Sequence, residues 1–433
     1  MSNLLGLRHG ICLGLASAAI AISHGAPAAA APAITVQPAA QTVTVGQHAL
    51  FSVTATNATS YQWFRNGAAI SGATHATYLT PAIAVGDTGE QFSVTVTNAS
   101  GSVTSTKAAL SINTAADGGP PASFWGNTGT LPIATQVMTF SFVNRTNGKF
   151  PNSQLWWSFS GKTASGQQVK EFHSFAEAPT FDMPAINSAR MYFYIAPDAA
   201  HAVQSPTSYY DFIEFNIGRS SASVPWNFDG DTTRVDAFGL KTAIRLHCAA
   251  GSDVTRGEDY GTFLEDRAIT FQKYLAETPP QFAATATQAA PFRILEPGAA
   301  GFGKGGANAS YYQSYLDQVW AANAINPTVV PKPTPFLNLT TNQLPDLSAA
   351  LERHVAEQPG TFQANGKLVN PNFWRNIPAS SFYPAGPANF YAKYWHTHGI
   401  SGLAYGFPYD DVGGHSSNIN CNDPSWLVAA IGW

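Results

Sequence analysis

The chain has 433 residues, of which 11% are charged, 45% apolar and 12% aromatic, with a formal net charge of −4. That length calls for two domains with sizeable cores, and the aromatic content excludes a disordered chain. There is no global positive field to capture nucleic acid or an anionic membrane, whereas a weakly charged, aromatic-rich surface suits a neutral polar ligand such as a sugar.

Arg8 and His9 precede an apolar run from Ile11 to Ile22, followed by small residues from Gly25 to Ala33. This is the pattern of a secretory signal peptide over residues 1–31, with cleavage near Ala31. The run is about a dozen residues, and no later stretch approaches the roughly 18 of a membrane helix. The mature protein is therefore expected to be secreted, to the medium or a periplasm, with no membrane partner. Cys12 leaves with the signal. Cys248 and Cys421 remain, and in an oxidising compartment one disulfide is the simplest reading, with two buried thiols as the alternative.

Residues 33–113 alternate apolar and polar positions in short runs such as Ala49–Ala55, Tyr61–Phe64 and Gln91–Thr97, divided by turn signals at Asn66-Gly67 and Ser100-Gly101. About seven strands in some 80 residues, with no helical period, predict a β-sandwich. The segment resembles the immunoglobulin-like fold. Trp63 matches its buried strand-C tryptophan, Phe92 stands at its tyrosine corner, and Val53 and Val94 replace its disulfide cysteines. Residues 114–122 read as a Gly/Pro-rich linker.

A second domain is expected over 123–433. Strand-like runs lie at Val137–Val143, Arg190–Ile195, Phe212–Ile217 and Val428–Ile431. Helical spacing appears in Tyr260, Phe263, Leu264, Phe271, Tyr274 and Leu275, again from Tyr312 to Trp320, and from Leu347 to Val355. The predicted layout is a β-rich body with a mixed α/β subdomain at 251–380.

Two stretches carry candidate chemistry. In Tyr209–Gly218, a strand places Ile213, Phe215 and Ile217 on one face and Phe212, Glu214 and Asn216 on the other. Glu214 among aromatic neighbours is expected to have a raised pKa, the property of a general acid, although a solvated strand face fits the same pattern. In Trp226–Leu240, Asp236 precedes a hydrophobic strand, with Trp226 as a sugar-stacking platform and Asn227, Thr232 and Thr233 as hydroxyl partners. Two carboxylates on adjacent strands can flank a glycosidic bond. Asp211, Asp229 and Asp231 are rivals that fit turn roles equally.

The pairing of Asp211-Phe-Ile-Glu-Phe-Asn216 with Asp231-Thr-Thr-Arg-Val-Asp-Ala-Phe-Gly-Leu240 is similar to glycoside hydrolase family 64, the β-1,3-glucanases on a thaumatin-like barrel. Ala189–Ile195, Phe292–Gly298, Tyr311–Trp320 and Tyr405–Gly414 resemble further landmarks in the same order. The resemblance implies a mainly β protein: the sandwich, then a thaumatin-like β-barrel/sandwich with the mixed subdomain. It implies an inverting endo-β-1,3-glucanase that releases short oligosaccharides from laminarin- or curdlan-type glucan, with Glu214 as general acid and Asp236 as general base. Asn216, Trp226 and Thr233 fall on cleft positions, and Tyr210 and Asp410 complete the expected substrate-binding set. Inversion requires the two carboxyl groups to sit about 6.5–9.5 Å apart.

His396-Thr-His398, with Asp410, Asp411 and His415, could be read as a metal site. The pair instead ends a helix before Gly399, and inverting glycosidases need no metal or cofactor. Gly301–Gly306 lacks the arrangement of a phosphate loop. A monomer is expected, its sandwich a spacer. The competing readings are a non-catalytic thaumatin-like β-glucan-binding protein and an adhesive surface protein.

Overall fold

A computed structural model describes residues 30–248, 251–333, 344–384 and 386–433. All but the last two residues of the expected signal peptide lie outside the described residues.

The protein is mainly β. Two twisted sheets face each other across the main core. One is five-stranded, in the order Thr180–Met183, Met138–Arg145, Pro424–Gly432, Lys241–Cys248, Asp253–Gly257. The other is six-stranded, in the order Gln168–Ser174, Leu155–Lys162, Ile186–Ile195, Tyr209–Gly218, Asn227–Thr232, Ile419–Asn422. Strand alternation sends Trp157, Phe159, Phe193, Phe215 and Phe228 inward against Phe140, Phe142, Leu427 and Ile431. Phe215 lies between Phe140 and Phe228, with ring centroids 5.1 and 5.8 Å away. Among the described residues no strand pairing joins the two sheets, so they form an open sandwich and not a closed barrel. Cys248 of one sheet and Cys421 of the other are joined by a disulfide, with Cα atoms 6.1 Å apart.

The helices gather into a second core, where Phe271, Tyr274, Tyr315, Trp320, Leu347, Leu351, Tyr391 and Trp395 pack around Phe238. Two expectations change here. The run at 260–275 divides into helices Tyr260–Leu264 and Arg267–Glu277, because Glu265 turns extended and buries its carboxylate against Lys273 Nζ at 2.6 Å, leaving Asp266 to cap the second helix. The subdomain also runs past 380: helix Phe390–Thr397, capped by Asn389, contributes Tyr391 and Trp395 to the same core.

The N-terminal segment forms a sheet in the order Gln41–Thr44, Ala108–Asn113, Gln91–Asn98, Ser60–Arg65, Ala68–Ala69, with Gly101–Thr104 beside Gln91–Asn98. Trp63 is completely buried, opposite Val94, and its indole N–H donates to the His75 carbonyl at 2.9 Å. Phe51 stacks on Phe92 at 4.3 Å.

Residues 114–122 are not a free tether. Gly118 accepts from the Tyr260 amide at 3.0 Å, and the Asp117 carbonyl accepts from the Ser401 amide at 2.6 Å. Gln47 donates from Nε2 to the Asp259 carboxylate and to the Thr397 carbonyl, the latter at 2.8 Å. The closest approach is at Gly261, where a Cβ would lie 2.5 Å from the Thr42 carbonyl oxygen. Gly261→Ala should therefore raise helix propensity by about 1 kcal/mol yet loosen the sandwich. Faster cleavage within 114–122 by a broad-specificity protease is the expected readout, and an unchanged cleavage rate would mean the contact does not hold the two parts together.

Candidate active site

The site is built around a buried cation. Arg234, 2% exposed, donates from Nη1 to Asp211 Oδ2 at 3.0 Å and from Nε to Glu258 Oε1 at 2.7 Å. Asp211 Oδ2 also accepts the Gly239 and Leu240 amides at 2.8 and 2.9 Å, and Glu258 Oε2 accepts the Thr242 amide at 2.6 Å. The Arg234 backbone is held as well: its carbonyl accepts the Tyr391 hydroxyl at 2.7 Å and its amide donates to the Tyr405 carbonyl at 2.7 Å. These bonds fix residues 233–240 against the strand Tyr209–Gly218. Gly239 is required by the same packing, since a Cβ there would sit 1.7 Å from the Tyr210 carbonyl oxygen.

Glu214 lies on the outer face of the six-stranded sheet, half-buried, and accepts from Arg190 Nε at 2.5 Å. Its immediate polar partner is thus a guanidinium from the neighbouring strand, not the purely aromatic surroundings expected from the sequence. Asp231, on the adjacent strand, has its pKa pushed up to about 7 by burial and then by the charges of Glu214, Asp229 and Asp411. Aromatic rings extend across the outer face away from Glu214. Tyr192 lies 5.2 Å from Phe212 and 6.3 Å from Tyr194, and Trp156 stacks on Phe172 at 5.5 Å. Tyr210 belongs to this surface, with the Arg293 guanidinium 4.0 Å above its ring.

Asp236 is exposed and lines a cavity of about 460 Å³ shared with Glu296, Lys304, Ser348, Glu352, Asn389 and Phe407. Two of these neighbours are raised acids. Burial lifts Glu296, against the Gly298 and Ala299 amides that it accepts, with the Asp236 charge adding to the rise. Burial also pushes Glu352 up to about 8, although Asn389 donates to its Oε2 at 3.0 Å.

The remaining expected site residues separate. Asn216 is exposed and accepts the Ser188 amide at 2.7 Å. Thr233 is buried, and its hydroxyl accepts the Val235 amide at 3.2 Å, so it shapes the turn before Asp236. Trp226 stands at the far end of the strand Asn227–Thr232, with Arg219 over its ring at 4.1 Å; the extended chain from there to Asp231 covers about 16 Å. It is not brought to the carboxylates.

Asp410 corrects an expectation. It is fully buried, and its oxygens are taken by Arg353 Nη2, His396 Nε2 and the Gly406 amide at 2.9, 2.9 and 2.8 Å. Burial opposes its charge, but His396 and Arg353 outweigh that and hold its pKa below the usual value. It is therefore a structural anchor and cannot touch a ligand. Its neighbour Asp411 is exposed instead, accepting from the Tyr405 hydroxyl at 3.3 Å. Among the described residues no group of three or more His, Cys, Asp or Glu side chains is placed to hold a metal. Sequence reasoning passed over Arg190, Glu296 and Glu352, and gave Asp211 and Asp231 a turn alternative; in the structure one is a buried anchor and the other a strand residue opposite Glu214.

Replacing Arg234 by Leu leaves Asp211 and Glu258 buried without their cation. We expect a loss of about 3–5 kcal/mol, read as a lowered urea midpoint. Glu352 gives a pH-dependent test. The folded carboxyl keeps its proton to about pH 8, whereas the unfolded one releases it near 4.5, so stability falls as pH rises between those values. Glu352→Gln should leave Tm unchanged near pH 4 and raise it relative to the parent at pH 9; equal Tm values at pH 9 would show that the fold does not raise the Glu352 pKa.

Comparison with known proteins is consistent with this architecture. The family model described as β-1,3-glucanase, glycoside hydrolase family 64, matches residues 135–342 and 334–431. A search of curated proteins gave no match. Among solved structures, the family 64 laminaripentaose-producing β-1,3-glucanase from Paenibacillus barengoltzii aligns at 24% identity with a TM-score of 0.57, covering 93% of this chain and 100% of that one. A β-1,3-glucanase domain from Clostridium beijerinckii aligns at 21% identity with a TM-score of 0.56, covering 70% of this chain and 100% of that one. These likenesses are in fold, and the family match spans the two facing sheets and the helical subdomain together: the chain belongs to glycoside hydrolase family 64, the β-1,3-glucanases.

Proposed function

We propose that the protein is an exported endo-β-1,3-glucanase that inverts the anomeric centre, with Glu214 as general acid and Asp236 as general base. The observation that carries the reading is the shared anchor: the Arg234 cluster ties the loop bearing Asp236 to the strand bearing Glu214. Glu214 gives its proton to the glycosidic oxygen as the C1–O bond breaks. Asp236 takes a proton from the water that adds to C1 on the opposite ring face, so the new hydroxyl carries inverted configuration. The rings of this face that reach solvent, Tyr192, Trp156 and Phe172, offer apolar area to sugar rings, with Tyr210 and Asn216 at its margin. The P. barengoltzii enzyme is laminaripentaose-producing, and release of short oligosaccharides is the corresponding expectation here. The signal pattern at residues 1–31 supports export. The N-terminal sandwich, read as immunoglobulin-like, acts as a spacer held at Gln47 and Gly118 against the catalytic body.

Glu214→Gln and Asp236→Asn should each lower kcat/KM on laminarin by about 10²–10⁴-fold while leaving glucan binding intact. Anomer-resolved NMR of the first products should show the α-configured reducing end. Near-parental activity in either variant, or β-configured first products, would overturn the assignment.

A further inference from the structure

Asp231 is the exact cross-strand partner of Glu214. In the antiparallel pairing of Tyr209–Gly218 with Asn227–Thr232, the two residues oppose each other directly. Their side chains therefore leave the same face, as such pairs do, with Cβ atoms about 5 Å apart. Asp231 is largely withdrawn from water, and its Oδ1 has no hydrogen-bond partner. The groups facing it are mostly acidic. Glu214 lies across the strand pair, Asp229 is on the same strand, and Asp411 approaches from the loop after Tyr405; the pKa of Tyr405 is itself raised by burial and then by the charges of Asp411 and Asp231. Asp229 accepts from Asn418 Nδ2 at 3.2 Å, and Arg190, reaching Glu214, is the cation of the pair. One guanidinium compensates one negative charge, not two.

On the reading that Glu214 is the general acid, we propose that Asp231 is its positioning residue: the two carboxyl groups hold a single proton between them, and that proton is the one delivered to the leaving glycosidic oxygen. The Glu214 charge, directly across the strand pair, adds to burial in raising the Asp231 pKa, and on this proposal the pair holds one proton where an isolated aspartate would have lost it. During turnover that proton leaves on the departing sugar, and the pair becomes doubly charged. The water that attacks C1 passes one of its protons to Asp236 and thence to solvent, and the pair regains a proton from solvent before the next cycle. Asp231 itself does not contact the substrate. Its Oδ1 is buried and has no hydrogen-bond partner that would hold it ionised.

The test is the pH dependence of kcat/KM on laminarin for the parent, Asp231→Asn, Asp231→Glu and Glu214→Gln. The parent should lose activity on an alkaline limb near pH 7, where the pair loses its last proton. Asp231→Asn removes the repelling charge, so Glu214 surrenders its proton more readily and the limb moves to lower pH by about one pH unit or more. Asp231→Glu should bring the limb back toward its parental position. A purely structural role would lower activity or Tm at every pH without moving the limb. An unmoved limb in Asp231→Asn, with Glu214→Gln inactive, overturns the shared proton and leaves the acid assignment standing; activity in Glu214→Gln overturns the acid assignment instead. Should Asp231→Asn fail to fold, carboxyl-¹³C NMR of the parent and Glu214→Gln decides. One aspartate titrating near pH 7, shifting downward when Glu214 becomes Gln, is the expected result, and its absence overturns the proposal.

Discussion

Everything at the site hangs on the ionic contact of Arg234 with Asp211 and Glu258. All three side chains are almost completely removed from water. Such a cluster is costly to bury, and it is tolerated only because nearly every lone pair and N–H finds a partner. Asp211 comes from the strand that carries Glu214, Glu258 follows the edge strand of the other sheet, and Arg234 sits two residues before Asp236. The cluster therefore ties both sheets and the candidate base loop together. Phe238 and Trp395, with the Arg234 guanidinium over their rings at 5.4 and 5.7 Å, extend the same anchor into the helical core.

The remaining parts take their positions from that anchor. The two sheets supply a stiff outer face on which Glu214, Asp231 and the aromatic row are displayed at fixed register. The helical subdomain supplies Glu296, Glu352 and Asn389, which surround Asp236 in a cavity. Burial is the first cause of the rise at both Asp231 and Glu352, but the charges that add to it differ: Glu214, Asp229 and Asp411 at the one, Asp410 and Glu296 at the other. Separate environments for neighbouring carboxyls are how one fold keeps some protonated and others ionised at the same pH.

Much of the fold was legible along the chain, because alternation and helical period are local properties. Ile213, Phe215 and Ile217 turn inward and Glu214 and Asn216 outward as their spacing requires. Trp63, Val53 and Val94 lie in one core, as the short alternating runs around them imply. Periodicity failed where a single side chain overrode it. Glu265 breaks a helix to reach Lys273, and Tyr391 with Trp395 draws helix Phe390–Thr397 into a core that the helical spacing confined to residues 251–380. The Gly/Pro content of 114–122 marked a connector but carried no information about the surface on which it lies.

For the site, the sequence by itself determined the two segments that carry the candidate acid and base and the family to which the chain belongs, because each of the two motifs is a contiguous run of residues. Which acids meet was decided only in three dimensions. Asp410 and Asp411 are adjacent in the chain, yet one is sealed against Arg353 and His396 and the other faces the site. Asp229 and Asp231 look equivalent in sequence, but strand register sets Asp231 opposite Glu214 and Asp229 opposite Asn216. Burial and charge proximity depend on what distant segments bring to a position, and that is why protonation, unlike alternation, belongs to the tertiary structure.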